Sequence, residues 1–527
     1  MKKHLLLLAF FGLFILSCSD DDPVVDPGGE IPEPIEYTSG SADFTTYVAL
    51  GNSLTAGFSD QALFIDGQDA SYPNMLAGSF AEAGGGIFTI PYMSDNLGGM
   101  TVNGNPFAPN RLFLDFSSGS PIPTPVSGTG STEALNKLSG SFNNMGVPGA
   151  KSYHLLAPGY GSVAGLQAGL ANPYFVRFSS GETASVLGDA LAQNPSFFTL
   201  WIGNNDVLGF AVSGGAGVDQ TGNLEPATYG QNDISDPNYF GGVYNQILTL
   251  LTANGAGGVI ANIPDVTKIP FFTTVPFAPL SPANPSFGPQ IPALNEQFAQ
   301  LNQVFQFLGV PERSITFNAD SASPLVIKDE SLPDLSAQIT AVLAGGGLDV
   351  PTATILGMLY GQARQATAED LVVFTSQTVI GQVNTEAFAM LQGLGVPAAL
   401  AGQLSVNGVT YPMEDRWVLL PSEQQAVKTA TEAYNQAIAA AAQAYDLAFV
   451  DMNTFYNTVE SQGVPLADGS VVTDTYATGG GFSLDGVHPS PRGYALIANE
   501  FIKAIEAKYG ATLPRVDPLA YTGLYIN

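Results

Sequence analysis

The stretch YVALGNSLTAGFSD, residues 47–60, runs from an apolar segment into a small polar turn at Gly51, Asn52 and Ser53. A serine at a strand end is either a turn residue or a nucleophile. A nucleophile needs a base beside it, and histidine is the usual choice at neutral pH. The chain has 3 histidines, and His4 falls in an N-terminal apolar leader, which leaves His154 and His488. In SLDGVHPSPRGYALIANEFIKAI, Asp485 precedes His488 by three positions, ahead of a helical pattern. At that spacing a carboxylate and an imidazole can face one side of a turn, where Asp485 would hold the ring's tautomer and stabilise its protonated form. A loop histidine beside a solvated aspartate is the bland alternative. His154 is the fallback base.

Attack on a carbonyl also requires donors for the negative oxygen that forms. Two turns offer them: FNNMGVPGAKSY, with Gly149, and TLWIGNNDVLG, with Asn205 just after an apolar segment. Glycine lets a backbone N–H approach a ligand closely, and a carboxamide at a strand end donates a second bond. Each could equally be a structural turn. No paired metal-ligand cluster is available, since the leader leaves two histidines and Cys18 is the only cysteine.

The elements that must position these residues are legible as apolar runs without polar alternation: TYVALG at 46–51, FFTLWIG at 197–203, GGVIANIP at 257–264 and LAFVDMN at 447–453. Such runs suit a parallel sheet covered on both faces. Helical patterns lie between them. VYNQILTLLTANG runs from Val243 to a stop at Gly255, and SEQQAVKTATEAYNQAIAAAAQAYD starts at Ser422 with Gln425 in the capping-box position. Helix followed by strand, more than once, predicts a doubly wound α/β fold. Residues 276–415 differ, with amphipathic helical candidates at 293–309, 332–346 and 352–364 and one strand-like run at 370–375. They read as a mainly helical insertion, either a lid over an acyl pocket or ordinary core packing, and the Gly/Pro-rich 78–140 and 210–240 as long loops.

The blocks Gly-x-Ser-Leu, GVPGA, Gly-x-Asn-Asp and Asp-x-x-His-Pro occur in the order that resembles the SGNH, or GDSL, hydrolase family. The resemblance implies a flavodoxin-like parallel sheet flanked by helices. It makes Ser53 the nucleophile, Asp485 and His488 the rest of a triad, and Ser53, Gly149 and Asn205 the oxyanion hole. SYPNMLA at 71–77 and ANIPDVTKIP at 261–270 also look like family segments, so it reaches across most of 46–505, thinly over 276–415. Asn52 stands where the family name has Asp, which implies tuning of the turn. The rival α/β-hydrolase elbow, Gly-x-Ser-x-Gly, needs glycine where this chain has Thr55. The implied activity is carboxylic ester hydrolysis of lipase or esterase type, without a cofactor. Carbohydrate acetylester hydrolysis and a non-catalytic surface protein that holds glycan or lipid remain as alternatives.

Charge and the N-terminus bear on location. The 16 Lys and Arg face 46 Asp and Glu, a formal net charge of −30, which argues against nucleic acid because binding it relies on basic residues displacing counterions. Lys2 and Lys3 precede the apolar run Leu5 to Leu16, which suits a signal peptide over residues 1–17. Cys18, closing ILSC, resembles the bacterial lipoprotein signal, so it is the expected lipidation site. Residues 18–41, acidic and rich in Pro and Gly, read as a flexible tether from the outer membrane to a hydrolase domain at 42–527. Asp20 to Asp22 resemble a surface-export tag, or are merely solvated. The expected partners are a small-molecule or lipid ester and the membrane, with no protein partner indicated.

Overall fold

The computed structural model describes residues 35–117 and 121–526. The signal-peptide and lipidation expectations, and the tether up to residue 34, lie outside the described residues. Five strands form one wholly parallel sheet: β1 (Tyr47–Gly51), β2 (Asn144–Gly146), β3 (Phe197–Trp201), β4 (Gly257–Ala261) and β5 (Ala448–Val450). Their order is β2-β1-β3-β4-β5, the flavodoxin-like arrangement. All four expected runs are in it. The fifth, β2, lies in a stretch read as a turn, because Asn143, Asn144 and Gly146 are turn-forming types. Here the asparagine side chains support pairing instead: Asn143 Nδ2 donates to the Tyr47 carbonyl at 2.9 Å and Asn144 Nδ2 to that of Thr55 at 2.9 Å.

Alternate side chains of the sheet enter two different cores, which is why its strands lack polar alternation. Val48, Leu50, Phe198, Leu200 and Ile260 pack on one face. Tyr47, Ala49, Phe197, Trp201 and Val259 pack on the other. Helices follow in chain order: α1 (Ser53–Ala56), α2 (Tyr72–Ala81), α3 (Asn205–Val212), α4 (Pro237–Thr252), then α5 (Ile291–Phe307), α6 (Ser336–Gly345), α7 (Val350–Tyr360) and α8 (Thr385–Gly393), and finally α9 (Pro421–Ala444), α10 (Met452–Ser461) and α11 (Pro491–Tyr509). Helix α9 starts one residue before the expected Ser422. Pro421 occupies its first turn, where a missing N–H costs nothing, and Glu423 rather than Gln425 closes the end by accepting from the Leu420 N–H at 2.7 Å. No helix among the described residues is long and apolar enough to cross a membrane.

Three boundaries differ from expectation. Thr38 and Thr512 exchange backbone hydrogen bonds at 2.9 Å, and the Ser41 N–H donates to the Tyr509 carbonyl, so the folded unit spans Tyr37–Asn527 and begins before residue 42. The 78–140 stretch is not bare loop: Leu112–Asp115 pairs antiparallel with Ile122–Pro125, and Met100–Val102 with Asn105–Ala108. The 370–375 run supplies only Leu371 and Val372 to a short pairing with Val418 and Leu419. The 276–415 segment does contain α5 to α8, and these surround a core of their own that includes Phe298, Phe305, Ile339, Tyr360 and Met413.

That second core carries a buried ion cluster. Arg364 makes two hydrogen bonds to Asp370, both 2.7 Å, and one to Asp329 at 2.6 Å, with the Asp370 side chain fully buried. Removing the arginine would strand two carboxylates away from water. Arg364→Ala should therefore cost about 3–5 kcal/mol of unfolding free energy, read from urea denaturation; a loss under about 1 kcal/mol would mean the carboxylates are solvated.

Candidate active site

In a sheet of this order the connections leave β1 and β3 in opposite directions, and a crevice opens at the carboxyl ends of those strands. Ser53 follows β1 and Asn205 follows β3, so both stand at that crevice by topology. The turn after β1 is tight: a Cβ on Gly51 would lie 2.1 Å from Thr55 Oγ1 and 2.5 Å from the Trp201 carbonyl, so only glycine fits there. Asn52 caps the short helix α1 by accepting from the Leu54 N–H at 3.0 Å, and its Nδ2 donates to Asn204 Oδ1 at 3.3 Å. An aspartate could cap but not donate. Asn52 thus ties the β1 turn to the β3 turn, which gives its departure from the family's Asp a structural reason.

Ser53 is buried to 8% exposure, and its Oγ lies 2.9 Å from His488 Nε2. His488 Nδ1 lies 2.8 Å from Asp485 Oδ2. The loop before α11 thus reaches the turn after β1 across 435 residues of sequence. Burial pushes the Asp485 carboxyl up, but the neighbouring His488 charge, the bond from its ring, and the His488 and Val487 amides at 2.8 Å outweigh burial and hold it at about 2. An ionised carboxylate only accepts. Nδ1 must therefore carry the ring proton in the neutral imidazole, which leaves the Nε2 lone pair facing the Ser53 hydroxyl. The Phe58 ring, centred 4.7 Å from that of His488, packs against the imidazole.

The other expected residues divide. Asn205 lines the same cavity as Ser53 and His488, and its Nδ2 donates to the Ala150 carbonyl at 2.9 Å, which holds the Gly149 turn against the start of α3. Gly149 has φ +80°, a conformation that favours glycine, and stands beyond β2 beside the β1 end. It does not line the cavity. His154 does not line it either: its Nδ1 accepts from the Lys151 N–H at 3.0 Å, its ring stacks on Tyr160 at 4.6 Å, and burial with the nearby Lys151 charge draws its pKa down to about 4.

Residues without an expected role support the turns. Asp206, fully buried, accepts from the Ser152 N–H and Oγ, both at 2.8 Å, so it fixes the Gly149–Ser152 turn to α3. Burial raises its pKa, against those bonds and the Lys151 charge. Its signal was the Asp of the Gly-x-Asn-Asp block. Lys151, 3% exposed, donates to the Asp233 carbonyl at 2.7 Å. Among the described residues no group of three or more His, Cys, Asp or Glu is arranged to hold a metal ion.

The cavity beside Ser53 is a slot of about 100 Å³ walled by apolar side chains, among them Trp201, Val266, Met452, Phe455, Val459 and Leu496. No residue of 276–415 lines it. Helices α5 to α8 bury their apolar faces in a core of their own.

The α/β fold thus carries a parallel sheet with Ser53, His488 and Asp485 hydrogen-bonded in series at its switch point. Residues 358–501 match the family model described as GDSL-like Lipase/Acylhydrolase, a match that supports an SGNH/GDSL hydrolase. That span holds Asp485 and His488, whereas Ser53, Gly149 and Asn205 precede it, and it opens inside the segment read as an insertion. No curated protein and no solved structure matches the chain.

The depressed Asp485 pKa has a thermodynamic consequence. A carboxyl held below its unfolded value of 3.8 adds stability that is present above that pH and is lost as pH falls through about 2. The contribution is on the order of 2 kcal/mol. Urea denaturation of the wild type and Asp485→Asn should show a stability gap at about pH 5 that narrows towards pH 2; a gap independent of pH would mean the carboxyl is not depressed.

Proposed function

We propose that the protein is a serine ester hydrolase in which Ser53 is the nucleophile, His488 the general base and acid, and Asp485 the residue that orients His488. The observation that carries this reading is the unbroken series from Ser53 Oγ through the His488 ring to Asp485, at 2.9 and 2.8 Å, opening on an apolar slot. His488 Nε2 takes the hydroxyl proton as Ser53 Oγ bonds to the ester carbonyl carbon. The tetrahedral oxygen receives hydrogen bonds from the Ser53 N–H, the Gly149 N–H and the Asn205 carboxamide. His488 then returns the proton to the alcohol oxygen as the ester C–O bond breaks. Water, activated by the same base, releases the acid from the acyl-enzyme.

The slot bears on the substrate. An engineered apolar cavity of ~150 Å³ holds benzene. A slot of about 100 Å³ suits an acyl chain of about four to six carbons better than a long fatty chain. We also propose that the enzyme is exported and held at the outer membrane through Cys18; the support is the sequence pattern of residues 1–41 alone. Such an anchor would bring ester substrates to it from outside the cell.

Hydrolysis of p-nitrophenyl esters from acetate to palmitate by residues 37–527 tests the reading. Activity should peak at about four to six acyl carbons and fall to background in Ser53→Ala. Equal turnover by the mutant would overturn the mechanism, and a palmitate optimum would overturn the assignment of the slot. Asn205→Ala should lower kcat about 100- to 1000-fold with KM little changed, since the donor acts on charge that appears only in the transition state. A rise in KM at constant kcat would remove Asn205 from that role.

A further inference from the structure

Directly after the serine turn, Ser59 and Ala62 exchange backbone hydrogen bonds at 3.0 and 3.1 Å and close a two-residue hairpin turn around Asp60 and Gln61. Both central residues have positive φ, 50° and 69°, where such turns ordinarily carry Asn-Gly or Asp-Gly. A left-handed residue that is not glycine persists only where its surroundings over-determine it. The surroundings here are the aspartate–histidine loop. The Asp60 N–H donates to Ser483 Oγ at 2.9 Å, and Ser483 Oγ donates to Asp485 Oδ1 at 3.1 Å. The Gln61 N–H donates to Asp485 Oδ2 at 3.0 Å, the same oxygen that meets the His488 ring. Asp60 Oδ1 accepts from the Leu484 N–H at 2.9 Å, and the Asp60 carbonyl accepts from the Leu112 N–H at 2.8 Å.

We infer that Asp60 is a positioning residue: its buried side chain clamps the 483–488 loop onto the serine turn, so that Gln61 and Ser483 fix both oxygens of Asp485 and, through them, the His488 ring. This rests on the triad reading above. Asp60 is 2% exposed, and burial raises its pKa to about 7 against the Leu484 hydrogen bond, with the Asp485 charge adding to the rise and Arg111 opposing it. The clamp works through geometry, since Oδ1 accepts from Leu484 whether or not the other oxygen carries a proton. Only the backbone of Gln61 is used, and its side chain faces solvent.

The test compares Asp60→Ala, Asp60→Asn, Ser483→Ala and Gln61→Gly with wild type and Ser53→Ala on the best p-nitrophenyl ester. Asp60→Ala and Ser483→Ala should lower kcat about 10- to 100-fold with KM within about twofold, as for a misplaced reacting group. The acid limb of their kcat/KM profile should move to lower pH, because a loosened Asp485 stabilises the imidazolium less. Asp60→Asn keeps the acceptor for Leu484 and should recover to within about threefold of wild type, as should Gln61→Gly, which keeps its N–H. Should Asp60→Ala fail to fold, Ser483→Ala and Asp60→Asn decide the matter. Wild-type kcat in Ser483→Ala, or no recovery in Asp60→Asn, overturns the clamp while Ser53→Ala stays inactive. Activity that persists in Ser53→Ala overturns the triad reading instead.

Discussion

Strand β1 sets the constraint on which the site depends. Its five residues are wholly buried and pair in parallel with β3 on one side and β2 on the other. Parallel neighbours need crossover connections, and those leaving β1 and β3 wind to opposite faces of the sheet. The chain cannot fill the space between diverging connections. Ser53 and Asn205 occupy its rim because each is among the first residues past its strand, and Gly51 lets the two turns approach by carrying no side chain into Thr55 and Trp201.

A second constraint comes from charge. With 16 basic residues against 46 acidic ones, the chain has few cations to spare for buried carboxylates. Around the site it uses backbone amides and hydroxyls instead: Val487, His488, Gln61 and Ser483 donate to Asp485, Ser152 to Asp206, and Leu484 to Asp60. Hydrogen bonds of this kind are directional, so the groups that keep each carboxylate in place also aim it. The Arg364 cluster, which does spend a guanidinium, lies in the core of α5 to α8.

Those helices show how burial partitions a chain of this length. Phe298, Ile339 and Tyr360 find enough apolar partners among themselves to close a second core, which leaves the slot beside Ser53 to be walled by the segment after β4, by α10 and by α11. Apolar helices in a chain with such a slot invite a reading as a lid. Their amphipathic pattern says only that one face must be covered, and here they cover one another.

The sequence determined the strand runs of the sheet, because a strand buried on both faces leaves a short apolar run that survives any context, and it set Ser53, Asn205, Asp485 and His488 apart as candidates, because each lies in a compact block beside an element end. It did not reveal β2: three residues rich in Asn and Gly read as a turn until Ala49, Leu50 and Gly51 are there to pair with them. Nor did it mark Asp60, which belongs to no motif and gains its place from a loop 424 residues away. It favoured His488 over His154 as the partner of Ser53 but could bring neither to the serine. Only the tertiary structure decided that, along with the slot and the clamp on Asp485, since hydrogen bonds between distant segments depend on where the sheet order brings strand ends together, and a single chain's local pattern carries no record of that distance.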